Sequence, residues 1–210
     1  MSVDVVAPTA SASSTRAAEA ALVEQAVTGD RTAQRAIFDQ QRANVHRTLF
    51  RILGSNRDME DLVQDTFIEV FRSLASFRRE STLRRWCGTI ATRTAWRYLE
   101  RRRTPVSTSG ADEVVSDQVG VDRRLDAVDA VARFYAALER MPPKLRVTFA
   151  LVQVDGRSLA EVAELTGVSA TAVKTRMWRA RAELARRARR DPVLAAYLRG
   201  DDATLEEGER

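Results

Sequence analysis

The sequence has one cysteine, Cys87, and one histidine, His46, among its 210 residues. A single cysteine excludes an internal disulfide and a cysteine-rich zinc site, and it is typical of a reducing cytoplasm. The histidine has no cysteine or acidic partner at ligand spacing, which indicates a structural side chain. No nucleophile–base set and no glycine-rich phosphate loop occurs either. The sequence therefore predicts no enzyme, no cofactor, no metal and no small-molecule substrate.

Long apolar runs and strand-like alternation are also absent. No stretch approaches the roughly 18 apolar residues of a membrane span, and the N terminus lacks the basic start and apolar core of a signal peptide. Aromatic residues make up only 6% of a chain that is 44% hydrophobic. Apolar residues instead recur at helical spacing, which favours an all-α protein. A chain of this length has room for two small cores.

The positive charge is concentrated in two places. The formal net charge is +5 and the pI is about 10.1. Seven arginines against one acid lie between Ser81 and Arg103, and eight basic residues against one acid lie between Lys174 and Arg190. Because arginine suits phosphate recognition, two separate basic segments predict two contacts with a polyanion.

Composition divides the chain into five segments. Residues 1–18 are rich in Ala, Ser, Thr and Pro and predict a disordered lead-in. Residues 19–103 show helical periodicity, whereas residues 104–124 combine Pro, Gly, Ser, Thr and acids without an apolar period, as linkers do. Helical periodicity resumes over 125–190, and residues 191–210 form an extension with an acidic end. We therefore expect two small helical domains joined by a flexible linker.

The clearest motif is a helix-turn-helix in the second domain. Ser158 with Glu161 predicts a capping box at the start of a helix. Gly167 predicts a left-handed helix end, and Ser169 predicts the cap of a second helix. At about 100° per residue, that second helix has one apolar stripe, formed by Val173, Met177, Ala180 and Leu184. Its opposite face carries polar and aromatic residues, namely Thr171, Lys174, Thr175, Trp178 and Arg179. Such side chains contact phosphates and base edges, so this face is predicted to recognise duplex DNA.

A helix predicted from Asn56 to about Phe77 has an apolar face and an acidic face. The apolar stripe consists of Met59, Leu62, Val63, Phe67, Val70 and Leu74. The opposite face carries Asp58, Asp61, Gln64, Asp65, Ile68 and Glu69. An acidic stripe is most often a solvated face, whereas an apolar residue outside the core stripe indicates a docking surface. Both interpretations remain open on these residues alone.

The next helix, predicted from Thr82 to Arg103, interleaves aromatic residues with arginines. Its aromatic residues are Trp86, Trp96 and Tyr98. Rings stack on unpaired bases and arginines bind the backbone, so the pattern fits single-stranded nucleic acid. A core helix with inward rings and solvated arginines fits equally well.

Taken in this order, the segments resemble the extracytoplasmic-function sigma factors, the smallest sigma subunits of bacterial RNA polymerase. The resemblance runs from about Gly29 to Arg187. It rests on ILGSNRDMEDLVQDTFIEVFRSLASFR, on the basic helix STLRRWCGTIATRTAWRYLE, and on LERMPPKLRVTFALVQVDGRSLAEVAELTGVSATAVKTRMWRARAEL. It implies that residues 19–103 are sigma region 2 and residues 125–190 are sigma region 4. The implied function is an alternative sigma factor that binds core RNA polymerase and directs promoter recognition, DNA melting and transcription initiation.

The resemblance also implies a role for each candidate site. The family's acidic helix docks on the clamp helices of the polymerase largest subunit, and the matching residues are Asp61, Gln64, Asp65 and Ile68. The following loop and helix open the minus-ten promoter element and hold an unpaired base, and the matching residues are Arg78, Arg79, Glu80, Ser81, Arg93 and Arg97. Contacts to the minus-thirty-five element fall on Lys174, Thr175, Trp178 and Arg179. An anti-sigma factor is a further implied partner, besides core RNA polymerase and promoter DNA.

Two other functions compete with this one. One is an operator-binding regulator, in which the N-terminal half senses a signal or dimerises and polymerase is not bound. The other is an RNA-binding or RNA-processing protein. Tight binding of duplex DNA by the free protein would distinguish a regulator, whereas a sigma factor initiates specifically only with core polymerase.

Overall fold

The computed structural model describes the backbone of residues 10–103 and 121–202, with side chains over residues 16–102 and 128–199. Every regular element in these ranges is a helix, so the predicted all-α fold is confirmed. The predicted linker falls mainly on residues 104–120, which lie outside the described part of the chain. The first helical unit therefore ends at Arg103, and the second begins at Val121.

The first unit contains four helices, and α2 is central to it. The helices are α1 (Ala10–Val27), α2 (Arg31–Leu53), α3 (Met59–Ser73) and α4 (Leu83–Arg103), with a 3₁₀ turn over Leu74–Ser76. The Asp30 carboxylate caps α2 by accepting the first backbone N–H groups, and Gly54 ends it in the left-handed conformation. The predicted apolar stripe of α3 is buried at every position, which confirms the helical period.

Three helix starts differ by three residues or more from the sequence-based expectation, one of them being a helix that begins at Val121, inside the predicted linker over residues 104–124. Helix α1 begins at Ala10, within the segment predicted to be a disordered lead-in. The alanines of this segment have the highest helix propensity of any residue, which explains the earlier start. Helix α3 begins at Met59 rather than Asn56, because Asp58 adopts a left-handed φ of 54°. The Asp58 carboxylate does not cap the helix and instead accepts a hydrogen bond of 2.8 Å from the Tyr98 hydroxyl.

The second unit contains five helices around the helix-turn-helix. They are α5 (Val121–Glu139), α6 (Pro143–Phe149, continued by a π-helical turn over Ala150–Val154), α7 (Leu159–Thr166), α8 (Ala170–Ala188) and α9 (Pro192–Asp202). The predicted capping box of Ser158 and Glu161 is present, and Gly167 ends α7 with a φ of 65°. The Ser169 hydroxyl accepts the Ala172 N–H, as expected for a helix cap. These local signals place α8 across α7 as the second helix of the motif.

Helix α9 packs onto the second unit. The Leu194 side chain is buried, and the Tyr197 ring lies 5.4 Å from the Phe134 ring between centroids. The Asp191 carboxylate accepts the Leu194 N–H at 3.1 Å and pairs with Arg133 at 3.2 Å. The first part of the C-terminal extension is therefore a structural element of this unit.

The two units also contact each other. Helices α2 and α4 of the first unit pack against α6, its π-helical turn and α7 of the second. The sequence predicted two domains and a linker but no particular contact between them. This interface combines arginines, carboxylates and backbone carbonyls with a ring contact of 6.1 Å between Phe50 and Tyr135.

Candidate nucleic-acid and partner interfaces

The predicted recognition face of α8 is exposed. Its apolar stripe is buried at all four predicted positions, and the opposite side chains, Lys174, Thr175, Trp178 and Arg179, are open to solvent. Trp178 is 71% exposed, which is high for a large apolar ring and is typical of a surface that a partner covers. The α8 face is thus positioned as the sequence predicted, while its contacts with DNA stay a prediction.

The basic groups of this face have no acidic partner among the described residues. The nearest acid on α8, Glu183, accepts hydrogen bonds from Arg186 at 2.8 Å and from Arg187. Hydrogen bonding from Arg186 contributes most to lowering the pKa of Glu183. Because Glu183 is occupied in this way, Lys174 and Arg179 are available to bind phosphate or a base edge.

The acidic stripe of α3 is exposed as well. Its candidate docking residues, Asp61, Gln64, Asp65 and Ile68, all face solvent, and Ile68 is 47% exposed. Within the described residues, neither Asp61 nor Asp65 forms an ion pair. Only three large hydrophobic side chains are exposed in the described part of the chain, Val27, Ile68 and Trp178, and two of them lie in predicted interfaces. This coincidence favours docking over a merely solvated face.

A groove of about 1030 Å³ separates α3 from α4. One wall carries Asp65 and Ile68, and the other carries Arg93 and Arg97, whose side chains are exposed. The structure therefore brings predicted polymerase-binding and minus-ten residues to the two sides of one groove. The sequence pattern could not show this adjacency, because the two helices are separated by an irregular loop.

Two tryptophans line the same groove and are held in place. Trp86 is half-buried, with its ring 5.1 Å from the Phe77 ring. The Trp96 indole N–H donates to the Glu100 carboxylate at 3.2 Å. Helix α4 thus combines the two interpretations that the sequence left open, because its rings pack partly inward while its arginines and ring edges line an open groove.

The remaining predicted minus-ten residues form a separate group. Arg78, Arg79 and Glu80 are exposed and Ser81 is half-buried, in the loop before α4. Arg93 lies ten residues beyond the helix start at Leu83, which is about 15 Å at 1.5 Å per residue. The candidate minus-ten surface therefore has a loop part and a groove part.

Two acidic residues of α1, which the sequence did not single out, hold this loop. The Glu24 carboxylate pairs with Arg79 at 2.8 Å, and the Glu19 carboxylate accepts the Leu83 N–H at 3.1 Å. Arg79 has a φ of 60°, a conformation that costs energy for a residue with a side chain. The partners lie 55 and 64 residues apart in the chain, so no local pattern could have indicated them.

The structure adds little chemistry elsewhere. Cys87 is fully buried, and burial raises the pKa of its thiol to about 12, as expected for a small core side chain. Among the described residues, no group of three or more His, Cys, Asp or Glu side chains is arranged to hold a metal ion. No helix in those ranges has the length and apolar character needed to cross a membrane.

Comparisons with known proteins agree with this arrangement. A family model for sigma-70 region 2 matches residues 37–104, and one for sigma-70 region 4 matches residues 132–184. An ECF RNA polymerase sigma-E factor of Haemophilus influenzae is 31% identical over 171 residues, covering 77% of this chain and 90% of the relative. The structure of CnrH in complex with the cytosolic domain of CnrY aligns with a TM-score of 0.56 and 25% identity. That alignment covers 83% of this chain and 99% of CnrH.

A second solved structure shares the fold. It is the sigma factor RpoE of Bartonella quintana in complex with the anti-sigma factor NepR, with a TM-score of 0.50 and 21% identity over 71% of this chain and 92% of that one. Regions 2 and 4 in sequence, each in its own helical unit, define a sigma-70-type transcription factor. The chain belongs to the extracytoplasmic-function sigma factors of RNA polymerase. It is an alternative sigma factor that directs promoter recognition and transcription initiation with RNA polymerase, which sets aside the operator-binding and RNA-processing alternatives.

Proposed function

We propose that the two units divide the work of initiation. Residues 19–103 act as region 2, which binds core polymerase and opens the minus-ten element, and residues 125–190 act as region 4, which binds the minus-thirty-five element. The matched family regions fall almost wholly within these limits. The observation that carries the proposal is the exposure of Ile68 and Trp178, one in each unit and each within a predicted interface.

In region 2, the acidic stripe of α3 docks on the polymerase clamp helices through Asp61, Gln64, Asp65 and Ile68. Paired charges at the rim of an interface steer association and set orientation, while an apolar side chain at its centre supplies affinity. Ile68 lies among the exposed acids as such an apolar centre. The complementary polymerase surface must then be basic with an apolar pocket.

The groove and the loop before α4 hold the opened strand of the minus-ten element. Unstacking a base costs a few kcal/mol, and ring and phosphate contacts in a pocket offset that cost. Arg93 and Arg97 supply the phosphate contacts, and Arg78, Arg79, Glu80 and Ser81 face the flipped base. Because capturing a base requires no bond to be made or broken, we assign no catalytic residue, no cofactor and no small-molecule substrate.

In region 4, Lys174, Thr175, Trp178 and Arg179 contact the minus-thirty-five element in the major groove. An α-helix fits that groove, and arginine and lysine recognise guanine there. A sigma factor works together with RNA polymerase, which supports a cytoplasmic location for this protein. The CnrY and NepR complexes of similar sigma factors support an anti-sigma factor as a partner of this chain too.

Reconstituted transcription tests the proposal. Purified core polymerase with this protein should initiate from its promoter, and a premelted minus-ten region should reduce the dependence on region 2. Strong binding of operator DNA by the free protein, without stimulation of core polymerase, would contradict it.

A double charge reversal tests the docking stripe. Asp61→Arg with Asp65→Arg should weaken binding to core polymerase at least tenfold, while binding of minus-thirty-five DNA should not weaken. The matched control is Asp39→Arg with Asp129→Arg, because these exposed acids each pair with an arginine four residues away and the net charge change is the same. Equal polymerase binding by the stripe variant and the control would show that the stripe is only a solvated face.

A further inference from the structure

The contact between the two units is centred on a buried arginine. Arg146 of α6 is only 4% exposed. Its Nε donates to the Ile52 carbonyl at 2.9 Å and its Nη2 donates to the Leu53 carbonyl at 2.6 Å. These carbonyls belong to the last turn of α2, where helical C=O groups lack intrahelical partners and carry partial negative charge. A charge of region 4 therefore completes the end of a helix of region 2.

Carboxylates of region 4 also pair with arginines of region 2. Asp155 forms ion pairs with Arg51 of α2 and, at 2.6 Å, with its own neighbour Arg157. Glu161, in the first turn of α7, pairs with Arg85 of α4 at 2.6 Å. These groups border a polar crevice of about 380 Å³, which two further arginines, Arg47 and Arg84, also line. The region 2 side of this interface is thus a basic surface whose Arg51 and Arg85 pair with two acids of region 4.

This basic surface adjoins the predicted minus-ten loop. Thr82 lines the crevice together with Glu161, and it directly follows Ser81, the last residue of that loop. Hydrogen bonds from Ser158 hold the Glu161 carboxylate in place and, with the nearby Arg85 charge, lower its pKa, so it is ionised at neutral pH. A fixed negative charge at this position repels a DNA phosphate that approaches the start of α4.

The closed arrangement is too short for a complete promoter. Elements named minus-ten and minus-thirty-five lie about 25 base pairs apart, which is roughly 85 Å at about 3.4 Å per base pair. Helix α7 is about 12 Å long and α8 about 29 Å at 1.5 Å per residue. With Glu161 in contact with Arg85, the recognition residues of α8 lie within about 40 Å of the first turn of α4, since α7 and α8 laid end to end measure about that length. Both DNA-binding surfaces cannot then meet their elements on one duplex.

The nature of the contact allows it to open. Beside the ring contact between Phe50 and Tyr135, it is formed by ion pairs and hydrogen bonds, and water replaces those partners when the units separate, as in transient interfaces between domains. The acidic stripe of α3 stays exposed while the units are closed, so polymerase can bind before the units part.

We propose that this interface is an autoinhibitory lock of the free protein, in which Arg146, Asp155 and Glu161 hold region 4 against region 2 until polymerase and promoter separate them. The proposal rests on the division of roles between the two regions given above. Its consequence is that the free protein binds promoter DNA poorly because the Glu161 carboxylate borders its minus-ten loop and the two regions are too close together.

A reversible disulfide across the interface tests the lock. Gly54 ends α2 beside Tyr135 of α5, and a Cβ on Gly54 would lie 2.7 Å from the Tyr135 Cβ. Disulfides need about 3.5–4.5 Å between Cβ atoms, so the pair Gly54→Cys and Tyr135→Cys requires a movement of about 1 Å. The pair is made in a Cys87→Ala background, and bond formation is measured by mass under mild oxidant.

The oxidised and reduced forms of this one variant are then compared. The oxidised form should bind core polymerase within about threefold of the reduced form but initiate transcription at least tenfold less, and reductant should restore initiation. Each single-cysteine variant should respond to neither reagent.

Full initiation by verified disulfide-linked protein would overturn the lock, and so would failure of the two thiols to join. If the reduced form also fails to initiate with core polymerase while the Cys87→Ala background succeeds, the lock is overturned as well, because restoration by reductant is then lost. Failure of the Cys87→Ala background itself would instead contradict the proposed function.

Removing the negative charges of Asp155 and Glu161 should have the opposite effect to the disulfide, because it weakens the contact between the two units. Asp155→Asn with Glu161→Gln should raise the affinity of the free protein for promoter DNA at least threefold, and glutamine preserves the capping box of α7. The control, Asp39→Asn with Asp129→Asn, removes the same charge from exposed positions away from the interface. An equal gain in the control would overturn the lock, since it would reduce the effect to net charge.

Discussion

Cys87 shows how strongly the core changes the chemistry of a single residue. Burial, with a smaller contribution from the Glu19 charge, raises the pKa of its thiol from 9.0 to about 12. The unfolded chain therefore loses this proton at a lower pH than the folded protein does. Stability from this group is complete below pH 9 and is lost as the pH rises from about 9 towards 12.

We expect the free energy of unfolding to fall by about 1.4 kcal/mol between neutral pH and pH 10 because of this one group. Urea unfolding at a series of pH values measures the slope, and the Cys87→Ala variant should lose most of it. An unchanged slope in Cys87→Ala would show that the thiol does not control the alkaline limit.

Arg179 tests recognition by a single side chain. Removing a guanidinium that contacts a base edge costs about 1–3 kcal/mol and relaxes specificity at that base. Arg179→Ala should therefore weaken binding to a promoter with the correct minus-thirty-five element, with little change on a scrambled element, and polymerase binding should be retained. Arg190→Ala, an exposed arginine just beyond α8, is the control and should weaken both DNAs equally. If Arg179→Ala weakened binding to the correct and the scrambled element equally, as Arg190→Ala should, Arg179 would contact only phosphate.

The α8 face could be predicted residue by residue because local rules decide it. A helical period of 3.6 and one apolar stripe fix which side chains point outward, and the caps at Ser158, Gly167 and Ser169 fix where the helices begin and end. No comparable local pattern in the sequence indicated a role for Glu19 and Glu24. Their contacts depend on the packing of α1 against the loop before α4, which nothing in their own neighbourhood specifies.

At the scale of single elements, the turn of the helix-turn-helix allows the energetic cost of a left-handed backbone conformation to be measured by itself. Gly167 has a φ of 65°, and a Cβ there would meet nothing within 4 Å. Gly167→Ala should therefore lower the free energy of unfolding by about 1 kcal/mol through left-handed strain alone. Asparagine tolerates this conformation, so Gly167→Asn should cost less. Urea unfolding measures both, and an equal or larger loss for asparagine would contradict this explanation.

The position of a helix could be predicted from the sequence where the helix has one buried apolar stripe, as α3 and α8 do. Its exact boundary could be predicted less accurately where a charged residue or a turn determines it. Asp58 was expected inside the start of α3, but its left-handed backbone and its bond to the Tyr98 hydroxyl place it before the helix. The groove between α3 and α4 also depends on tertiary packing, so the placement of Ile68 and Arg93 on its two walls could not be predicted.

At the scale of the whole molecule, the sequence predicted two units but not their contact. The bonds from Arg146 span 93 and 94 residues, and the Arg51 pair with Asp155 spans 104. Polar interfaces of this kind leave no hydrophobic periodicity, because arginines that pair with another unit have the same pattern as arginines that face solvent. The closed arrangement is therefore information that only the three-dimensional structure supplies.

Gly54 links the conformation of one residue to the arrangement of the whole molecule. Its φ of 64° matches that of Gly167, so an alanine at either position carries the same left-handed strain of about 1 kcal/mol. Only at Gly54 would the new Cβ also collide with a neighbour, the Tyr135 side chain of the other unit. Because a polar interface separates more easily than a helical core unfolds, the collision should part the two units rather than unfold either.

We therefore expect Gly54→Ala to increase the radius of gyration of the free protein in small-angle X-ray scattering, while Gly167→Ala leaves it unchanged. The thermal or urea stability of the two variants should be similar, since each alanine introduces the same backbone strain within its own unit. If Gly54→Ala instead stayed compact and lost several kcal/mol more than Gly167→Ala, the two units would share one cooperative core. The interface would then be a permanent part of the fold, because separating it would cost as much as unfolding.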